Sequence, residues 1–231
     1  MGNLTRQGRG VAAAATAAAL LVAVPASSDA ALLSFGSTLK ARANVKQARQ
    51  ADTAYWQTKL PGGASPRAPA NGQIKAFKVK GIALSSWKPG SPPGGERMFH
   101  LQSLHKQPNG SYKILVTSQA FFLPGKGTNS QTITTFRPTN FCIAKGDSLV
   151  LNTVGGWDGI ANRTGPYPDG TPLQIFSGVA GATVAAYTKA NGTNNGNIIR
   201  GKSTAGRELL MRLTVGTGRN GTALCKGGTG R

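Results

Sequence analysis

Beyond residue 72 the hydrophobic and polar positions alternate in short runs, the pattern of strands with one dry and one wet face. Phe77 and Val79 alternate with Lys78 and Lys80. Comparable runs follow at Met98–Leu104, Tyr112–Ala120, Gln131–Phe136, Ser148–Val154, Pro172–Ser177, Thr183–Tyr187 and Glu208–Val215. In the last of these, Leu209, Met211, Leu213 and Val215 fall on one face, with Glu208 and Arg212 on the other. Turn-forming residues separate the runs at Pro108-Asn-Gly110, Pro124-Gly125, Lys145-Gly-Asp147, Pro168-Asp-Gly170 and Asn191-Gly192. No helical period intervenes. The expected architecture is all-β, an antiparallel β-sandwich or jelly roll of about eight strands, with a barrel as the structural alternative.

The first 72 residues follow other patterns. Arg6 and Arg9 precede a run from Val11 to Val24 that is entirely Ala, Val and Leu apart from Thr16. A basic start, an apolar stretch and then small residues make the layout of a secretory signal peptide over residues 1–30. Both Val24-Pro25-Ala26 and Ser28-Asp29-Ala30 fit the cleavage pattern, and cutting after Ala30 is favoured. As a helix the run would reach only ~21 Å, short of the ~30 Å hydrocarbon core of a bilayer. No transmembrane segment is therefore expected after cleavage. From Leu32 to Leu60, Leu32, Phe35 and Leu39 fall at helical spacing, followed by Arg42, Lys46 and Arg49. Residues 31–60 are accordingly expected to form a basic N-terminal extension, partly helical or disordered. Residues 61–72 hold three prolines and three glycines and read as a linker, leaving residues 73–231 as the β domain.

Charge and cysteines narrow the setting. The formal net charge is +20, and loss of Arg6, Arg9 and Asp29 with the signal would leave +19. The excess reflects scarce acids as much as abundant bases, without a block of like charge that would mark a basic tail. Such a chain attracts polyanions in a salt-sensitive way: nucleic acid, anionic lipid or acidic wall polymers. Specific nucleic-acid binding is the weaker expectation, since no known module for it is present. Cys142 and Cys225 are the two cysteines, and in a secreted chain an even pair reads as a disulfide. Its closed loop would be worth about 4–5 kcal/mol on a chain-entropy estimate.

The run Thr135-Phe-Arg-Pro-Thr-Asn-Phe-Cys-Ile-Ala-Lys-Gly-Asp147, with Gly155-Gly156, Tyr167-Pro-Asp-Gly170, Thr193-Asn-Asn-Gly196 and Glu208-Leu-Leu-Met211, resembles a group of uncharacterised secreted actinobacterial proteins. The resemblance extends from about Ile74 to the C-terminus. It implies export and a disulfide-bearing β domain, and carries no catalytic residue with it.

Candidate chemistry is sparse. Gly196-Asn-Ile-Ile-Arg-Gly201-Lys202-Ser203 matches the phosphate-cradling loop letter for letter. That loop needs a buried strand before it and a helix after it, whereas Glu208–Val215 alternates like a strand. The expectation is a glycine-rich loop with a chance lysine. His100 and His105 are five apart, which sends them to opposite faces of one strand, so no shared metal is expected. Asp147 and Asp169 sit in turns where Asp commonly bonds its own backbone. Zinc ligands are lacking, and oxygen ligands for calcium at Asp147, Asp158 or Asp169 come without EF-hand spacing. Neither a catalytic set nor a cofactor is expected.

The strongest binding candidate is the stretch from Trp157 to Tyr167. A flat ring beside Asp158, Asn162, Arg163 and Asp169 can stack on a sugar while the polar groups take its hydroxyls. Trp157 can equally plug the end of the core, and Trp87 carries the same ambiguity. The sequence thus points to a secreted, non-enzymatic binding domain for anionic or carbohydrate polymers of the cell envelope or surroundings. Two other classes stand beside it: a polysaccharide hydrolase using Asp158 and Asp169, and a structural surface or matrix protein without a ligand site.

Overall fold

The computed structural model describes residues 31–47, 53–84, 97–153, 172–189, 192–218 and 225. These form strands β1 (Leu32–Gly36), β2 (Val45–Gln47), β3 (Thr53–Lys59), β4 (Gly72–Lys80), β5 (Ile82–Ala83), β6 (Met98–Lys106), β7 (Tyr112–Phe122), β8 (Ile133–Phe136), β9 (Cys142–Ile143), β10 (Ser148–Thr153), β11 (Leu173–Thr188), β12 (Ile198–Ile199), β13 (Lys202–Leu209) and β14 (Met211–Gly216). All pairings are antiparallel. One sheet runs β1-β14-β4-β8, with β9 also on β4. The second runs β12-β7-β6-β10-β3-β11-β13, with β2 and β5 also on β11. The all-β, antiparallel expectation holds, with more strands than the eight expected.

One hydrophobic core lies between the sheets. Ile74, Phe77 and Val79 of β4 and Leu213 and Val215 of β14 meet Phe99 and Leu101 of β6, Leu149 and Leu151 of β10, and Ile175 and Phe176 of β11. Phe77 anchors an aromatic group, stacked on Phe136 at 5.0 Å and edge-on to Phe99 and Phe121. The alternation in β4 and β14 works as its sequence demands. Phe77, Val79, Leu213 and Val215 bury while Lys78 and Arg212 face solvent.

Two expectations give way. Residues 31–60 are no helical or disordered extension: their described part holds β1, β2 and β3. Helical spacing of Leu32, Phe35 and Leu39 is coincidental, because only Phe35 of β1 enters the core while Leu32 is exposed. Strand β3 is central, flanked by β10 and β11. It buries Tyr55 toward the inter-sheet core and Ala54 and Trp56 toward a second cluster on the sheet's other face. Residues 61–72 are no free linker either. Ala68 is buried, donates its N–H to the Asp147 carbonyl and accepts from Gly146, both at 2.9 Å, and Arg67 bridges Ser148.

Strand boundaries shift for physical reasons too. The two runs expected at Pro172–Ser177 and Thr183–Tyr187 are one strand, β11, and the glycines between them produce a register shift against β13 rather than a turn. The run expected at Glu208–Val215 breaks at Leu210, where the chain passes from the second sheet to the first. There Leu210 donates to Ile175 and accepts from Lys80, and its side chain packs with Leu39 and Ala43.

Candidate functional site

The second sheet's outer face is dry over much of its area. Ala54, Trp56, Leu104, Ile114, Val150, Ala185 and Ile199 form a buried cluster there, with Tyr112 set edge-on to Trp56 at 5.3 Å. Gly201 passes so close to the Trp56 ring that a Cβ at this position would run into it, so only glycine fits. Beside the cluster lies a buried amide network. Gln102 Nε2 donates to the Thr193 carbonyl at 2.7 Å, and that oxygen can only accept, which fixes the Gln102 amide orientation. Gln102 Oε1 therefore accepts from Asn152 Nδ2 at 2.9 Å, and the same Nδ2 also donates to Thr193 Oγ1. Asn152 Oδ1 is then buried without a protein partner. The network fastens Thr193 to the sheet.

The first sheet's outer face is wet and cationic. Register places Arg212 of β14 directly opposite Lys78 of β4, and Lys78 opposite Thr135 of β8. Directly opposed residues share a face with Cβ atoms ~4.5–5.5 Å apart, so two like charges stand side by side, normally a destabilising arrangement. No carboxylate among the described residues relieves them. The acids in that set are Asp147 and Glu208, and both are buried. Lys40, Lys106, Lys126, Lys145, Arg200 and Lys202 are exposed elsewhere on the described surface. Lys80 is the contrasting case: it is buried and donates to the carbonyls of Leu39 and Ala41.

Asp147 makes the one ion pair among the described residues. Its Oδ2 accepts the Ala144 N–H at 3.2 Å, the own-turn bond expected of a Lys-Gly-Asp turn. Its Oδ1 lies 2.7 Å from His105 Nδ1. The carboxylate can only accept while ionised, so Nδ1 carries the proton and donates. Asp147 is 1% exposed and the His105 side chain 35%, so a buried carboxylate holds a partly exposed ring. His100 has a different partner, its Nδ1 lying 2.7 Å from the Ser118 carbonyl oxygen. No local motif links His105 to Asp147. Only the pairing of β6 with β10, which sets Leu104 opposite Ser148, brings them together.

Of the residues the sequence nominates, Cys142 and Cys225 are joined, with Cα atoms 5.6 Å apart. Trp157, Asp158, Asn162, Arg163, Tyr167 and Asp169 lie outside the described residues, as does Trp87. The segment matching a phosphate loop contains β12 and then enters β13 at Lys202, so no helix follows the lysine. Its resemblance to a nucleotide-binding loop is in the letters alone. Among the described residues no helix is long and apolar enough to cross a membrane. No protein-family model matches the chain, and neither a curated protein nor a solved structure does.

Proposed function

We propose that this protein is a secreted, non-enzymatic binding domain for anionic polymers of the cell envelope or its surroundings. The observation that carries this reading is the described surface, where cationic side chains stand exposed and the two described carboxylates, Asp147 and Glu208, are withdrawn into the interior. The opposed Lys78–Arg212 pair adds to it. A domain selected only for solubility gains nothing from placing like charges side by side, whereas a polyanion laid across the face would neutralise both. The disulfide and the N-terminal sequence pattern support an oxidising, extracellular setting. Carbohydrate specificity, in this proposal, comes from the Trp157–Tyr167 stretch, with Asp158, Asn162, Arg163 and Asp169 as hydroxyl partners.

The test is retention of the purified mature chain on DNA, polyphosphate, sulfated polysaccharide and neutral polysaccharide at low and high salt. Retention on the polyanions at low salt, lost at high salt, is the expected result. Absence of retention on every polyanion at low salt would overturn the proposal. Salt-resistant retention on one polysaccharide that disappears with Trp157→Ala would establish the sugar contact.

A further inference from the structure

We infer that His105 and Lys113 form a proton-dependent seat for a phosphodiester group at the β6–β7 end of the second sheet. The inference rests on the polyanion reading above and adds a site and a ligand chemistry to it. Lys113 of β7 is directly opposite His105 of β6, so the two side chains share a face. The Asp147 carboxylate holds Nδ1, which leaves Nε2, at the other edge of the ring, for a second partner. Among the described residues Nε2 and the Lys113 ammonium have no hydrogen-bond or ion-pair partner.

Among the described residues, the remaining charged groups on the surrounding elements are cations. Lys145 lies in the turn that carries Asp147, Arg67 is on the segment that bridges Ser148, and Lys106 follows on β6 with its side chain on the opposite face. Arg200 is tied to the hairpin through the Asn109 carbonyl at 3.0 Å. The one described acid on these elements, Asp147, is buried and already engaged on both oxygens. A protonated ring therefore adds an N–H donor beside the Lys113 ammonium. Two side chains whose Cβ atoms stand ~4.5–5.5 Å apart can direct their donors to the two non-bridging oxygens of one phosphodiester. A phosphodiester also keeps its charge between pH 5 and 8, where imidazole is the side chain that changes its own. Proton and phosphodiester then promote each other's binding, and the promotion is reciprocal.

The experiment measures affinity of the disulfide-bonded mature chain for a short oligothymidylate at about pH 5.5 and about pH 8 and fixed ionic strength. Tighter binding at the lower pH, by about tenfold, is expected when one charge-assisted hydrogen bond is added. His105→Gln, whose amide can still donate to Asp147, abolishes the pH dependence. His100→Gln leaves it intact. Lys113→Gln weakens binding at both pH values. A His105→Gln chain that melts like the native one yet keeps the full pH dependence would overturn the seat while leaving the polyanion reading in place. The same holds if the native chain binds equally at both pH values. Absence of binding at any pH and low salt would overturn both.

Discussion

The two sheets of this protein face water on unequal terms. The first is dry on its inner face and wet on its outer face, where Lys78, Arg212 and Thr135 stand in a row across neighbouring strands. The second is dry on both faces over its centre, with Trp56, Val150 and Leu104 packed on the side away from the first sheet. A sheet covered once keeps a period of two in its sequence. A sheet covered twice loses it, because residues of both parities are apolar or tied into buried polar bonds. The same contrast divides the chemistry: the first sheet displays an opposed cationic pair on its outer face, and the second encloses a network of neutral amides.

The largest test of the contrast is Trp56→Ala. Truncating a fully buried tryptophan should cost about 3–5 kcal/mol, read as a lower denaturant midpoint. A loss below about 1 kcal/mol would mean that the second cluster is not part of the cooperative unit. Next comes the bond that ties Cys225 to β9 of the first sheet. Replacing both cysteines with serine should cost about 2–5 kcal/mol by the loop-closure argument, and thermal unfolding of the reduced chain should match it.

Asn152→Leu is expected to cost about 1–3 kcal/mol, since it strips Gln102 Oε1 of its donor in a buried setting. It should also speed hydrogen exchange in the segment around Thr193, which the amide network pins. An exchange rate there unchanged from native would remove the network's assigned role. The smallest stability effect belongs to the open face. Lys78→Gln with Arg212→Gln should change stability by no more than roughly 0.5 kcal/mol, in the stabilising direction, because exposed like charges repel only weakly through solvent. On the proposed function the double variant should nonetheless elute from a polyanion at lower salt. Unchanged elution would shift the binding face to another part of the surface.

Legibility follows the same divide. Strands β4, β6, β7, β10 and β14 are visible in the sequence where polar residues mark a wet face or turns bound the run. Strand β3 is not, although it is an interior strand of the second sheet, between β10 and β11. Thr-Ala-Tyr-Trp-Gln-Thr-Lys has no alternation to detect, because Tyr55 and Trp56 both bury, on opposite faces. Lys202–Gly206 is hidden for the opposite reason: its run is exposed on both faces, so no residue declares a core side. Asp147 is recognisable as a turn residue with its own backbone bond, but its partner His105 lies on another strand.

By itself the sequence determined the class of fold, the sign and size of the charge, and the positions of many strands and turns. It also determined the pairing of Cys142 with Cys225, since a chain with two cysteines allows no other intramolecular bond. These are properties of composition and of neighbours along the chain. Only the tertiary structure decided that residues 31–60 contribute strands to the domain, that both described acids are enclosed, that Lys78 faces Arg212, and that His105 rests on Asp147. Each of these depends on strand order and register. Those are set by which faces bury together across long separations, and a local pattern does not encode them.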